Sequence, residues 1–233
     1  MKTSGELKEE AKRMLRGRWK EAVLMNLVPV LINLIIAAIF LIPVILFFRS
    51  DPDIVINGNW NFSMNGDASG GSTTGSAGGG LITAFFTVAI SWTFLDVLRE
   101  QKQRIEPLKD ALRTFHSPYA LAVVVIYFLN AIFTFLWSLL FIIPGIVKSY
   151  AYSQAYYIYY DTYQTTGQTP GYLDTITASR RIMDGHKGQL FWLDLSFIGW
   201  HMLAILTFGI GYLWLTPYIS ATKAAFYEEL PKE

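Results

Sequence analysis

The sequence predicts an all-α fold made for lipid: a polytopic membrane helix bundle of about six transmembrane helices in three repeated hairpins, with basic amphipathic interfacial helices. Three observations predict it. Hydrophobic residues make up 52% of the 233 positions and charged residues only 16%, an unusual balance for a soluble chain of this length. The apolar residues form runs instead of stripes, and Ala22 to Phe48 contains no charged side chain. Two later apolar stretches are each about twice as long as roughly 30 Å of hydrocarbon requires, so each must turn back on itself. The whole of 1–233 therefore reads as a single membrane domain.

Segment 4–20 opens the chain. Leu7, Ala11, Met14, Leu15 and Trp19 recur at helical spacing beside Lys8, Lys12, Arg13, Arg16 and Arg18, which predicts an amphipathic helix lying along a membrane surface. The same residues lack the short apolar core and cleavage site of a signal peptide, so the first span is expected to stay in the mature protein. That span is Ala22 to Phe48, where Asn26, Pro29, Asn33 and Pro43 are interruptions a membrane helix tolerates. Segment 49–80, ending in GDASGGSTTGSAGGG, is too poor in apolar residues to fold alone and reads as a flexible extracytoplasmic loop.

Leu81 to Leu98 forms the second span. Segment 100–117 is expected to be another basic interfacial helix, with an apolar stripe of Ile105, Leu108, Leu112 and Phe115 and with Pro107 near its start. Tyr119 to Tyr163 would measure roughly 68 Å as one helix, so it supplies spans three and four, reversing at Pro144-Gly145. Segment 170–188 is the third interfacial helix. Leu190 to Tyr227 supplies spans five and six, reversing around Gly209-Ile210-Gly211.

An internal repeat organises these pieces. Arg13-Met14-Leu15-Arg16-Gly17, Arg113-Thr114-Phe115-His116-Ser117 and Arg181-Ile182-Met183-Asp184-Gly185 align without gaps, each just ahead of a span. Pro43, Pro144 and Gly209 then fall about 30 positions after their arginines, so the unit reads as interfacial helix, outward span, turn and returning span. Basic residues gather in the N-terminal segment, after span two and after span four, whereas the glycine-rich loop carries Arg49 against Asp51, Asp53 and Asp67. The asymmetry predicts a multi-pass plasma-membrane protein with cytoplasmic N- and C-termini.

Several function classes are excluded. A net charge of +1 leaves no concentrated cationic surface for nucleic acid. With no cysteine there is no thiol nucleophile, thiolate metal site or disulfide. His116, His186 and His201 make no metal-binding spacing, and no phosphate loop, dinucleotide fingerprint or nucleophile elbow is present. No catalytic residue, metal ligand or cofactor is assigned, and the chain is not expected to be an enzyme.

The run SRRIMDGHKGQLFWLDLSFIGWHMLAILTFGIGYLWLTPYI, followed by AAFY, together with IIPGIVKSYAYSQAYYI and LKEEAKRMLRGRWKEAV, resembles the membrane family known as domain of unknown function 975. The resemblance implies a multi-span protein, chiefly of Gram-positive bacteria, with no assigned activity. That family is distantly similar to the membrane domain fused to some glycerophosphodiester phosphodiesterases, which points toward lipid.

Ionisable groups inside apolar spans are costly and so become candidate functional groups. Asp96, Asp194 and Lys223 sit at similar depth, and Asp194 and Lys223 are placed to pair. Span four carries Lys148 and a face of Tyr152, Tyr156, Tyr159 and Tyr163, read either as lining a polar passage or holding a lipid headgroup, or as an interfacial aromatic belt with interhelical hydrogen bonds. Arg13, Arg16, Arg18, Arg113, Arg180 and Arg181 are the candidate headgroup contacts. The expected partners are membrane lipids and other membrane proteins. The alternative is a small transporter whose pathway follows the tyrosine face.

Overall fold

The computed structural model describes residues 2–50, 77–140 and 142–231, and every regular element among them is helical. Helix α1 (Ser4–Leu15) begins with a capping box: the Thr3 hydroxyl accepts from the Glu6 amide at 3.3 Å, and the Glu6 carboxylate accepts from the Thr3 amide at 2.6 Å. Helix α2 (Trp19–Ser50) runs 32 residues, about 48 Å, and passes through Pro43. Proline removes a single backbone bond, and the helix continues where the repeat placed a reversal. Helix α3 (Ala77–Leu98) follows. The loop expected over 49–80 thus loses its edges to α2 and α3, and 51–76 lie outside the described residues.

The segment expected to be one interfacial helix over 100–117 is instead α4 (Pro107–Ala111) and a 3-10 turn at Arg113–Phe115. Its stripe divides accordingly. Ile105 is buried and Phe115 stacks on Phe85 at 4.7 Å, while Leu108 is exposed. Helix α5 (Tyr119–Leu140) is followed by α6 (Ile142–Tyr152), which folds back antiparallel, as the ring pair Phe133 with Tyr152 and the contact of Lys148 with Trp137 require. Pro144 lies in the first turn of α6, where its missing N–H costs nothing. Gly145 is an interhelix contact, because a Cβ there would collide with the Ser138 hydroxyl.

Helix α7 (Ala155–Thr166) continues α6 after a break at Ser153 and Gln154, where the Ser153 hydroxyl donates to the Tyr150 carbonyl at 2.8 Å. Helix α8 (Tyr172–Ile182) occupies the third interfacial segment. Helices α9 (Lys187–Leu195) and α10 (Ile198–Leu206) together form one long apolar rod, and α11 (Tyr212–Glu229) returns beside it. Gly17 and Gly185, at φ +81° and +77°, make the left-handed turns that lead from α1 into α2 and from α8 into α9, a conformation glycine adopts without steric cost.

Three stretches among the described residues are long and apolar enough to cross a membrane: Gly80–Leu98, Tyr119–Leu139 and Lys187–Leu206. The core sits around α3, where Trp92, Phe94 and Leu95 are fully enclosed against α11, α7 and α5. The apolar stripe of α1 has a different neighbour from the one its periodicity suggested. Leu7, Ala11, Met14 and Leu15 are buried against protein, chiefly α11, so the face read as lipid-seeking is already covered.

Candidate functional site

Polar side chains from four elements converge at one end of α3, the end nearest α1 and α4. Asp96 lies in the last turn of α3 and Arg99 just past its end, Tyr160 and Asp161 adjoin on α7, Arg113 comes from the 3-10 turn and Tyr227 and Glu228 from α11. The Arg113 guanidinium donates to Asp96 Oδ2 at 2.8 Å and to the Tyr160 hydroxyl at 2.6 Å, and that hydroxyl donates to Asp96 Oδ1 at 2.7 Å. Asp96 and Tyr160 are both buried, so each takes its polar partner from protein. Trp92 stacks on Tyr160 at 4.8 Å and donates its indole N–H to the Tyr156 carbonyl at 3.0 Å, which fixes α7 against α3.

A second ion pair extends the first. Arg99 grips both Asp161 oxygens, with Nη2 donating to Oδ2 at 2.8 Å, and its Nε donates to Glu228 at 2.8 Å. Tyr227 donates to Asp161 at 2.8 Å and stacks on Tyr157 at 4.8 Å, so α3, α7 and α11 are tied at one level. The hydrogen bonds to Asp161, opposed by burial and reinforced by Glu228, hold the Arg99 guanidinium more firmly protonated than usual.

The third pair is Asp194 on α9 with Lys223 on α11, 3.0 Å apart, with the Tyr150 hydroxyl 3.3 Å from the carboxylate. Lys148 lies 4.5 Å from the Trp137 ring. On the tyrosine face, Tyr152 and Tyr159 are buried, Tyr152 beside Phe133 and Tyr159 stacked on Tyr172, while Tyr163 meets Tyr119 edge-on at 5.3 Å. Tyr156 is partly buried against the same core.

The basic candidates divide. Arg13, Arg16, Arg180 and Arg181 are exposed, and Arg18 donates to the Met14 carbonyl at 3.4 Å. Arg113 differs from the headgroup role expected of it, because its guanidinium points inward to Asp96 and Tyr160. Sequence reasoning also passed over Arg99, Asp161, Tyr160 and Tyr227 as a cluster. One signal was available: Asp161 is the lone carboxylate between Ile142 and Gln164.

Chemically the arrangement is a clamp. Each carboxylate in it faces a guanidinium or ammonium, so none is left as an open acid or base, and no group of three or more metal-binding side chains occurs among the described residues. Comparison with curated proteins and with solved structures gave no match. A family profile described as "Protein of unknown function (DUF975)" matches residues 1–148 and 140–233, two overlapping stretches that together span the chain. The chain belongs to the DUF975 family.

Proposed function

We propose that the chain is a multi-pass plasma-membrane protein of six spans in three hairpins, both termini cytoplasmic, that acts without catalysis by contacting lipid or other membrane proteins. The observation that carries this reading is the outer surface of α5 and α10. Leu121, Phe135, Leu139, Met202 and Leu206 are exposed along the length of these helices, whereas the ion pairs gather at one end of the bundle. In water such a surface would be an aggregation liability, and in a bilayer it is solvated. The matching left-handed turns at Gly17 and Gly185 support the repeat. The exposed Arg13, Arg16, Arg180 and Arg181 suit anionic headgroups, each contributing about 1 kcal/mol.

Topology can be read by thiol labelling, since the native chain has no cysteine. Cysteine introduced at Ser69 should react with a membrane-impermeant reagent on intact cells, and cysteine at Gln103 only after permeabilisation. Reaction at Gln103 on intact cells contradicts the orientation. The transport alternative draws on the break between α6 and α7, where Gln154 Oε1 and the Tyr159 hydroxyl are buried without a hydrogen-bond partner. Resistance of cysteines at Tyr152, Tyr156 and Tyr159 to soluble thiol reagents from both sides rejects a pathway along that face.

A further inference from the structure

A crevice of about 290 Å³ lies between α10, α11 and the corner joining α1 to α2, apart from the ion-pair clamp. Its walls include Trp19, Trp200, Leu203, Trp214 and Tyr218, and Lys12 stands at its edge. The hydroxyls of the walls are satisfied internally. The Thr207 hydroxyl donates to the Ala204 carbonyl at 2.8 Å and accepts from the Gly211 amide at 2.9 Å, and the Tyr218 hydroxyl donates to the Lys8 carbonyl at 3.4 Å. What the crevice offers an occupant is an apolar slot and one cation.

That cation is uncompensated. Among the described residues Lys12 has no carboxylate within salt-bridge distance, and its ring contact is Tyr218 at 5.8 Å. Glu9 on the same helix faces Arg13, and Glu10 faces Lys2. The neighbouring Lys8 is engaged by the Ser196 carbonyl at 2.9 Å and the Phe197 ring at 4.2 Å. Burial and the Lys12 ammonium both disfavour charge on Lys8.

The dimensions select the occupant. Trp200 to Thr207 on one wall and Gly211 to Tyr218 on the other each rise about 10 Å. A helix, about 10–12 Å across, is as wide as this slot is long, so it could offer the slot only side chains. A single hydrocarbon chain fits. We propose that this crevice holds one acyl chain of an anionic phospholipid, with Lys12 receiving the headgroup phosphate. A zwitterionic lipid brings its own cation and gains less. The site rests on the membrane-spanning reading above.

Three tryptophans line the slot, so the full chain can be reconstituted into phosphatidylcholine vesicles containing an equal mole fraction of acyl-brominated phosphatidylglycerol or acyl-brominated phosphatidylcholine. The expected result is stronger quenching by brominated phosphatidylglycerol, an excess reduced by Trp200→Phe/Trp214→Phe, which leaves Trp19 alone in the slot. Lys12→Gln should lower the preference about fivefold, the equivalent of about 1 kcal/mol for a lysine near an anionic surface, and Lys12→Arg should keep it. Lys12 is exposed and has no ion pair, so an unchanged detergent melting temperature verifies that Lys12→Gln folds. Equal quenching by the two lipids, or an excess that survives Lys12→Gln, overturns the site. Crevice tryptophans shielded from both lipids assign the slot to a protein and also overturn it. Failure of either lipid to quench any tryptophan sinks the bilayer reading itself, a distinguishable outcome.

Discussion

Helices α3 and α5 are close to the same length and comparably apolar, yet 61% of the α3 membrane-length window is buried inside the protein and only 17% of the α5 window. The difference lies in what their side chains meet. Trp92 on α3 is enclosed by Tyr160 and Tyr119, while Phe135 on α5 faces outward. Hydropathy measures transfer out of water, and both destinations, protein core and lipid, satisfy it equally. What separates a central helix from a peripheral one is polar hardware at its end. Helix α3 carries Asp96 and is followed by Arg99, each paired to another element, and α5 carries no charge at all.

The sharpest way to break this contrast is Trp92→Ala, which empties an indole from the centre and should lower unfolding stability in detergent by about 4 kcal/mol. A loss below about 1 kcal/mol would mean α3 is not the structural axis. Arg113→Ala comes next, at about 3 kcal/mol, because it leaves the buried Asp96 carboxylate without its cation. Adding Asp96→Asn should restore part of that loss, and a double variant as unstable as the sum of the singles rejects the coupling.

Asp194 and Lys223 are more exposed, so a double-mutant cycle with Asp194→Asn and Lys223→Ala should give a coupling of about 0.5–1 kcal/mol. Additive losses in that cycle refute the pairing. Phe135→Ala, on the outward face of α5, is expected to cost under about 0.5 kcal/mol in detergent, and a loss matching that of Trp92→Ala would erase the distinction between the two helices.

The smallest effect concerns α1. The Lys2 ammonium, hydrogen-bonded to Glu229, holds that carboxyl below its usual range and is itself held above the usual lysine range by Glu229 and Glu10. A carboxyl with a lowered folded-state pKa stabilises at neutral pH and loses that contribution as pH falls through the folded value. Protection factors of the α1 amides, with the intrinsic pH dependence of exchange divided out, should therefore fall on acidification into the carboxylate range, and Glu229→Gln should blunt the response. Unchanged protection across that range removes the contact from the account.

Much of this was legible in residue spacing. The Leu7, Ala11, Met14 and Leu15 stripe defines a face by periodicity, and the charge-free run from Ala22 to Phe48 defines a long helix. What periodicity cannot name is the neighbour, because α11 and a lipid surface present the same apolar demand to α1. Asp194 and Lys223 could be matched from depth alone, since they flank one reversal. Arg113 could not be matched to Asp96. The segment between them bends at Leu112 instead of continuing as one helix, and this aims the guanidinium inward. Proline misled once: Pro43 sits inside the continuous α2, whereas Pro144, in the first turn of α6, does mark the reversal expected there.

The docking of α1 onto α11 has a consequence in time. Ribosomes release the chain from its N-terminus, so roughly 200 residues must be made after α1 before its covering helix exists. During that interval its oily face lacks its main covering helix, and on the membrane reading proposed above the bilayer surface is the substitute at hand. The resting place inferred from sequence would then be a waiting position, abandoned once synthesis reaches the last helix.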